Sequence, residues 1–392
     1  MTDSSSRWHG SPILPLAELT PDQTVGRDQL VADLMNRLER GSLRIEDPRR
    51  FGKTSVLKLL VDRSDEASPV AYVNVQGADA PEQVVNGIAK ALVEQLNTRA
   101  KAIERLRGLV DVASVRAGPV TFQAAFENAE PAEKLERVLA ALSDQFPGGH
   151  LVLAIDELPW AISNIARGEG DNQGAASAGA FLQALQRFRS EYPQIRWVLA
   201  GSIGFHHVLR MSNETNAVLS GAHPVNCGPL RVDDTQELVA RLMMGIDVSP
   251  EPEIVTRVAQ ATGGVAFIAH HLVDLMTGLP TVTAETVQTL FDTFAYDRGR
   301  SADMTHLLQR LEIYMTPQQA AAAQRVLDEC ARDLGPIPFE TLESLIDGDR
   351  EETMKVANWL VNDHYLIEQS SGFQWRYPVL MRVWAARRRL NQ

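Results

Sequence analysis

Five short apolar runs punctuate the first 230 residues, and stretches of helical spacing separate them. The first is Leu43-Arg44-Ile45, followed by a helix over 55–61 whose apolar positions are Val56, Leu57, Leu59 and Leu60. The second covers 70–75. The third, 151–155, is apolar throughout and stops at Asp156-Glu157, the pattern of a strand buried on both faces of a parallel sheet. The fourth covers 195–202 and ends in Ser202, and the fifth covers about 225–230. Between them, helical spacing runs over 82–106, through Val84, Ile88, Leu92 and Leu96, and again over 131–142 and 181–192. Residues 109–125 show no clear period. Gly168, Gly170, Gly174 and Gly179 fall within 162–180 and predict a surface loop. Strands alternating with helices in this order predict a doubly wound α/β domain, whose ligands bind at the C-terminal strand ends.

The second half reads differently. Helices are expected over 235–244, 253–262 and 266–276, with Pro250 and Pro252 in the turn between the first two. Thr316-Pro317 is an N-cap followed by Pro at the first helical position, and it opens a helix over 317–333. Further helices over 339–345 and 350–363 precede two short strand patterns, 365–368 and 373–377, joined by Ser370-Ser371-Gly372. Three helices and a two-stranded ribbon outline a winged helix. Pro12, Pro15 and Pro21 make 1–22 an extended lead-in.

Chemistry concentrates where the first strand meets its helix. Arg49-Arg50-Phe51-Gly52-Lys53-Thr54-Ser55 carries Gly-Lys-Thr at a strand-to-helix turn, the working end of a phosphate-binding loop. Backbone N–H groups and the positive end of the helix dipole favour anionic phosphates there. Lys53 would reach the β- and γ-phosphates and the Thr54 hydroxyl would ligate Mg²⁺. The full pattern asks for Gly at position 47, and this chain has Asp47, whose carboxylate is expected to oppose the phosphates. Asp156 at its strand end can hold Mg²⁺ through its water shell, and Glu157 can polarise an attacking water. The plainer reading makes Asp156 a helix cap and Glu157 a first-turn acid. The Gly-Lys-Thr loop upstream decides for the nucleotide site. An esterase elbow at Ser202 fails, because Gly is required two residues earlier and Ala200 stands there.

These elements resemble P-loop ATPases of the archaeal-type, AAA+/STAND-related kind, which also occur in bacteria. The resemblance rests on Val25-Gly26-Arg27, Pro48 to Ser55, Ile155-Asp156-Glu157-Leu158-Pro159 and Leu199-Ala200-Gly201-Ser202-Ile203-Gly204, and it spans most of the chain. It implies a P-loop NTPase α/β domain over 23–230, a helical lid over 231–312 and a winged-helix domain over 313–392. It also implies ATP and Mg²⁺ as cofactors, with Gly26 and Arg27 near the base or ribose and Ser202 as γ-phosphate sensor. Arg49, Arg50, Phe51, Gly52, Lys53, Thr54 and Ser55 would form the loop around the phosphates. Catalysis would fall to Glu157, Lys53 and Ser202, and metal binding to Thr54 and Asp156. A Gly-x-Pro element of the lid would fall at Gly264-Val265-Ala266, where Ala266 replaces the Pro. With Asp47, this departure implies low or partner-dependent turnover. Arg210 and Arg231 are the candidates for an arginine finger.

A chain of 392 residues has room for two to three domains with substantial cores. Hydrophobic content of 44% and charged content of 22% are those of an ordinary globular protein, and no run approaches the ~18 apolar residues of a membrane span. With a polar N-terminus and two cysteines, Cys227 and Cys330, the chain is expected to be cytoplasmic and without a disulfide framework. His206-His207 and His270-His271 lack a carboxylate or Cys at ligand spacing and read as ordinary histidines. Net charge of −12 argues against broad nucleic-acid binding. Arg376, Arg382, Arg387, Arg388 and Arg389 nevertheless follow the last acid, Glu368. They read either as cations at a helix C-terminus or as a small basic patch. The helix over 351–360 carries little positive charge, which favours protein contact or intramolecular regulation over major-groove reading at the C-terminal module. The expected partners are ATP and a protein partner or homo-oligomer, with DNA possible through that module. The expected function is an ATP-binding, ATP-hydrolysing switch or motor subunit. Its alternatives are a nucleotide-responsive adaptor with little turnover and a DNA-binding regulator.

Overall fold

The computed structural model describes residues 9–15, 18–96, 99–110, 122–123, 127–168, 171–297, 299–301, 306–333, 335–346 and 349–390. The expectations for 1–8 and for most of 111–126 lie outside them. The chain divides into two compact units, one of Arg27–Asp47 with Lys53–Cys227, the other of Met1–Gly26, Pro48–Gly52 and Gly228–Gln392.

The first unit is built on five parallel strands: β1 (Ser42–Glu46), β2 (Val70–Asn74), β3 (Leu151–Asp156), β4 (Ile195–Gly201) and β5 (Ala222–Val225). Their order across the sheet is β2-β3-β4-β1-β5. Alternation along the strands separates two cores. Leu151, Leu153, Ile155, Trp197 and Leu199 face one way and pack with α3 (Pro81–Gln95), α4 (Ala100–Arg107), α5 (Pro131–Leu142), α6 (Leu158–Gly168), α7 (Asp171–Glu191) and α8 (Phe205–Met211). Leu43, Ile45, Val152, Ala154, Val198 and Ala200 face the other way, against α1 (Asp28–Leu38) and α2 (Lys53–Asp62). Strand β3 is buried at every position, as its unbroken apolar run requires.

Three expectations need correction. The long spacing from 82 to 106 is two helices, α3 and α4. The fifth strand ends at Val225, where it was expected to begin, because Gly228 turns to φ +59° and Pro229 follows it. The glycine-rich stretch is helical on both sides of residues 169–170, which are outside the described set. A Cβ at Gly174 would stand 2.6 Å from the Ala166 carbonyl oxygen, so this glycine lets two helices approach closely instead of loosening a loop.

The second unit holds α9 (Val232–Met244), α10 (Pro252–Thr262), α11 (Ala266–Asp274), α12 (Thr286–Tyr296) and α13 (His306–Tyr314). It continues with α14 (Pro317–Arg332), α15 (Phe339–Leu345), α16 (Arg350–Asn362), the antiparallel strands β6 (Leu366–Gln369) and β7 (Gly372–Trp375), and α17 (Pro378–Arg388). Thr316 and Gln319 close a capping box at the start of α14. Ile337 bridges Phe373 as a third short pairing, which completes a winged helix. Ala266 occupies the first position of α11, a place where Pro is also tolerated, so the departure there leaves the helix start intact. The lead-in joins this unit: Ser11 N–H donates to the Arg241 carbonyl at 2.9 Å, and Leu14 N–H to His270 Nδ1 at 3.1 Å.

Candidate functional site

The expected site residues of the α/β unit gather at the C-terminal edge of its sheet. Asp47 leaves β1 and Lys53 begins α2, Asp156 ends β3, and Ser202 follows β4. Since β4 lies between β1 and β3, these positions are neighbours in space although about 150 residues separate them in sequence.

Thr54 Oγ1 donates to Asp156 Oδ2 at 2.7 Å, and the Tyr72 hydroxyl donates to the same oxygen at 3.2 Å. Asp156 is fully buried, and its Oδ1 accepts no hydrogen bond among the described residues. Burial pushes this carboxyl above the usual carboxylate range, the Thr54 hydrogen bond opposes that, and Glu157 beside it adds to the rise. A hydroxyl and a carboxylate side by side, with one buried carboxylate oxygen unsatisfied, are a donor set that suits a small hard cation. The residues present therefore fit Mg²⁺.

Lys53 is buried, and its ammonium donates to the Asp47 backbone carbonyl at 2.7 Å. Asp47 departs from expectation. Its backbone has no positive φ; the left-handed positions of the loop are Arg50 at +70° and Gly52 at +83°. Its side chain is 2% exposed, and Oδ2 accepts the Cys227 N–H at 2.6 Å. The carboxylate thus ties the end of β1 to the segment after β5. No local pattern signals this contact, because its partner lies 180 residues away. Burial, with Asp47 next, pushes the Cys227 thiol up to about 12.

Arg27 is buried and donates from Nη1 to the Cys227 carbonyl at 2.9 Å, so in this state its guanidinium braces the same segment. Gly26 precedes it with φ +72°. Arg49, Thr54 and Ser55 are half-buried. Within the second unit, Phe51 is 2% exposed with its ring 4.8 Å from that of Tyr377, and the Arg50 guanidinium lies 5.2 Å from the Phe267 ring centre. Arg210 is exposed near the end of α8, and Arg231 is exposed as the N-cap of α9.

Glu157 takes a left-handed backbone at φ +59°, uncommon for a residue with a side chain. Its Oε2 accepts two bonds from Ser202, from N–H at 3.0 Å and from Oγ at 2.9 Å. Trp160 Nε1 donates to that same hydroxyl at 3.2 Å. Trp160 thereby joins Glu157 and Ser202, a contact not expected from the sequence; its distance of three from Glu157 in a helix start was the available signal. A Cβ at Gly201 would stand 2.5 Å from Pro159 Cδ, so glycine is what allows the end of β4 to meet the turn after Glu157.

The C-terminal arginines are largely committed within their unit. Arg388 bonds both oxygens of Asp328, which also accepts from Trp384 Nε1. Arg382 lies 3.6 Å from the Phe291 ring centre and donates to the Ala261 carbonyl, and Arg387 donates to Ser301. On α16, Lys355 pairs with Glu351. His270 is buried neutral, lowered to about 4 by burial and then by His271, and its Nδ1 serves as an acceptor. Among the described residues no helix is long and apolar enough to cross a membrane.

A parallel sheet with a Gly-Lys-Thr loop at its edge and helices on both faces, followed by a helical region and a winged helix, makes a P-loop NTPase α/β fold. Two solved structures show it over nearly their whole length. The chain is similar to the Walker-type ATPase paby2304 of Pyrococcus abyssi, with 16% identity and a TM-score of 0.59 over 93% of this chain and 97% of that one. It is also similar to the Aeropyrum pernix ORC2 protein in its ADPNP–ADP complexes, with 14% identity and a TM-score of 0.54 over 96% and 98%. No protein-family model matches the chain, and no curated protein matches it.

Proposed function

We propose that this protein is a cytoplasmic, ATP-binding and ATP-hydrolysing switch that passes its nucleotide state to a protein partner or to further copies of itself. The observation that carries the reading is the 2.7 Å bond between Thr54 and Asp156, which joins the start of the loop helix to the acidic strand end. In the proposal, the loop backbone from Arg49 to Gly52 and the Lys53 ammonium hold the phosphates. Lys53 exchanges the Asp47 carbonyl for phosphate oxygen. Thr54 and Asp156 would hold Mg²⁺, which would supply neutralisation of phosphate charge. Glu157 orients and deprotonates water, and Ser202 donates to the γ-phosphate. Gly26 and Arg27 stand nearest the base and ribose. The winged helix serves contact with protein: Arg382, Arg387 and Arg388 are engaged internally, and α16 offers Lys355 already paired to an acid. The lid over 231–312 and the winged helix over 313–392 carry the change outward.

An adaptor with little turnover is the second reading. It is favoured by the resting contacts of Glu157, whose carboxylate is engaged by Ser202. One experiment separates the two. Calorimetric titration of Mg-ATP should show Lys53→Ala binding at least about tenfold more weakly, through loss of a charge-assisted contact. Single-turnover phosphate release should fall roughly 10²-fold or more in Glu157→Gln, with ATP affinity within about threefold. Equal ATP affinities for wild type and Lys53→Ala remove the nucleotide site. Binding without release above the Glu157→Gln level, partner included, leaves the adaptor.

A further inference from the structure

The hydroxyl of Ser202 has a single hydrogen, and in this structure that hydrogen is spent on Glu157. Ser202 Oγ lies 2.9 Å from Glu157 Oε2, and the Ser202 N–H donates to the same oxygen at 3.0 Å. The lone pair left on the hydroxyl receives the Trp160 indole N–H at 3.2 Å. Three groups from three places in the chain therefore close on one another: a turn after β3, the first turn of α6, and the residue after β4. The arrangement has a direction. An indole N–H can only donate, so it fixes the hydroxyl as acceptor on one side and leaves its hydrogen to the carboxylate.

We infer that Trp160 is a positioning residue that sets Ser202 as a latch on Glu157, occupying the carboxylate oxygen Oε2 until a γ-phosphate draws the Ser202 hydroxyl off. This rests on the ATPase reading and adds its regulation. The same hydrogen cannot serve Glu157 and a phosphate oxygen at once. Nucleotide with a γ-phosphate therefore competes with the latch, and nucleotide without one leaves it closed. The left-handed backbone at Glu157 and the bare Gly201 beside Pro159 bring the two strand ends close enough for this exchange.

Trp160 also supplies the readout. Emission of the wild-type protein minus that of Trp160→Phe isolates this indole from the other five tryptophans of the chain. A non-hydrolysable ATP analogue with Mg²⁺ should change the difference spectrum, and ADP should not. In single-turnover assays Trp160→Phe should release phosphate about three- to tenfold faster, the range set by losing one ordinary hydrogen bond, with analogue affinity within roughly twofold. Amide hydrogen exchange of wild type provides an arm that needs no variant: Ser202 N–H should exchange faster with the analogue than with ADP. Equal responses to analogue and ADP in emission and exchange, in a protein that calorimetry shows binding both, overturn the latch and leave the ATPase reading standing. Slower release in Trp160→Phe overturns it as well. Absence of nucleotide binding in wild type removes latch and ATPase reading together.

Discussion

Asp47→Gly would restore the residue that the full phosphate-loop pattern asks for, and it should make this protein worse. The Asp47 carboxylate accepts the Cys227 N–H at 2.6 Å from a site 2% exposed to solvent, and its backbone carbonyl receives the Lys53 ammonium. Losing a hydrogen bond to a charged group costs about 1.5–3 kcal/mol, and a buried N–H left without a partner keeps the cost near the upper end. Glycine adds about 0.5–1 kcal/mol of backbone entropy where no positive φ requires it. Together these come to roughly 2–4 kcal/mol, or a fall in melting temperature on the order of 5–10 °C for a unit of this size. Asp47→Asn keeps an acceptor in place and should lose about half as much or less. Scanning calorimetry of the three proteins, with ATP titrated into each, gives both quantities. ATP affinity should follow stability, with Asp47→Gly weakest. If Asp47→Gly instead melts like wild type and binds ATP more tightly, repulsion of phosphate is the true role of the carboxylate and the anchoring argument fails.

Two further outcomes follow from buried groups. His270 is lowered from 6.5 to about 4, so between those values the unfolded chain binds a proton that the native protein refuses. Its contribution is intact above pH 6.5 and is lost as pH falls toward 4, up to about 3 kcal/mol. Melting temperature from pH 7 to 4.5 should fall less steeply in His270→Asn, whose amide oxygen can still accept from Leu14; parallel slopes would reject the assignment. Gly201→Ala puts a Cβ 2.5 Å from the Pro159 ring. It should cost roughly 1–3 kcal/mol by overpacking and cut phosphate release, while nucleotide binding through the loop persists. Unchanged release would mean that the two strand ends need not meet.

The fold was legible where burial imposes a pattern. Strand β3 is buried at all its positions and reads as an unbroken apolar run, and Thr316-Pro317 announces α14 by its own chemistry. Legibility failed where one residue type serves two purposes. Gly174 reads as loop but sits in a helix, because close packing on the Ala166 carbonyl needs the same missing Cβ that a loop tolerates. The Gly-Lys-Thr segment was readable as a strand-to-helix turn because its residues sit together in one short stretch between β1 and α2. Asp47 and Trp160 were not, since each acts through a partner that only the sheet order brings near. The C-terminal arginines could be counted but not assigned, as charge in a sequence does not reveal that Asp328 and Phe291 are waiting for it.

The left-handed backbone of Glu157 carries an evolutionary consequence. Holding a residue with a Cβ at φ +59° stores about 1–2 kcal/mol that glycine would release. The codon for the acid proposed to activate water is thus also one where drift toward glycine is rewarded by a sturdier protein. A lineage released from the need to turn over ATP would gain stability by losing this acid, and would keep the loop, the strand and the whole fold. Retention of glutamate at 157 among relatives would then mark those still under selection for hydrolysis. Glycine or asparagine there would mark lineages that kept the nucleotide and gave up the reaction.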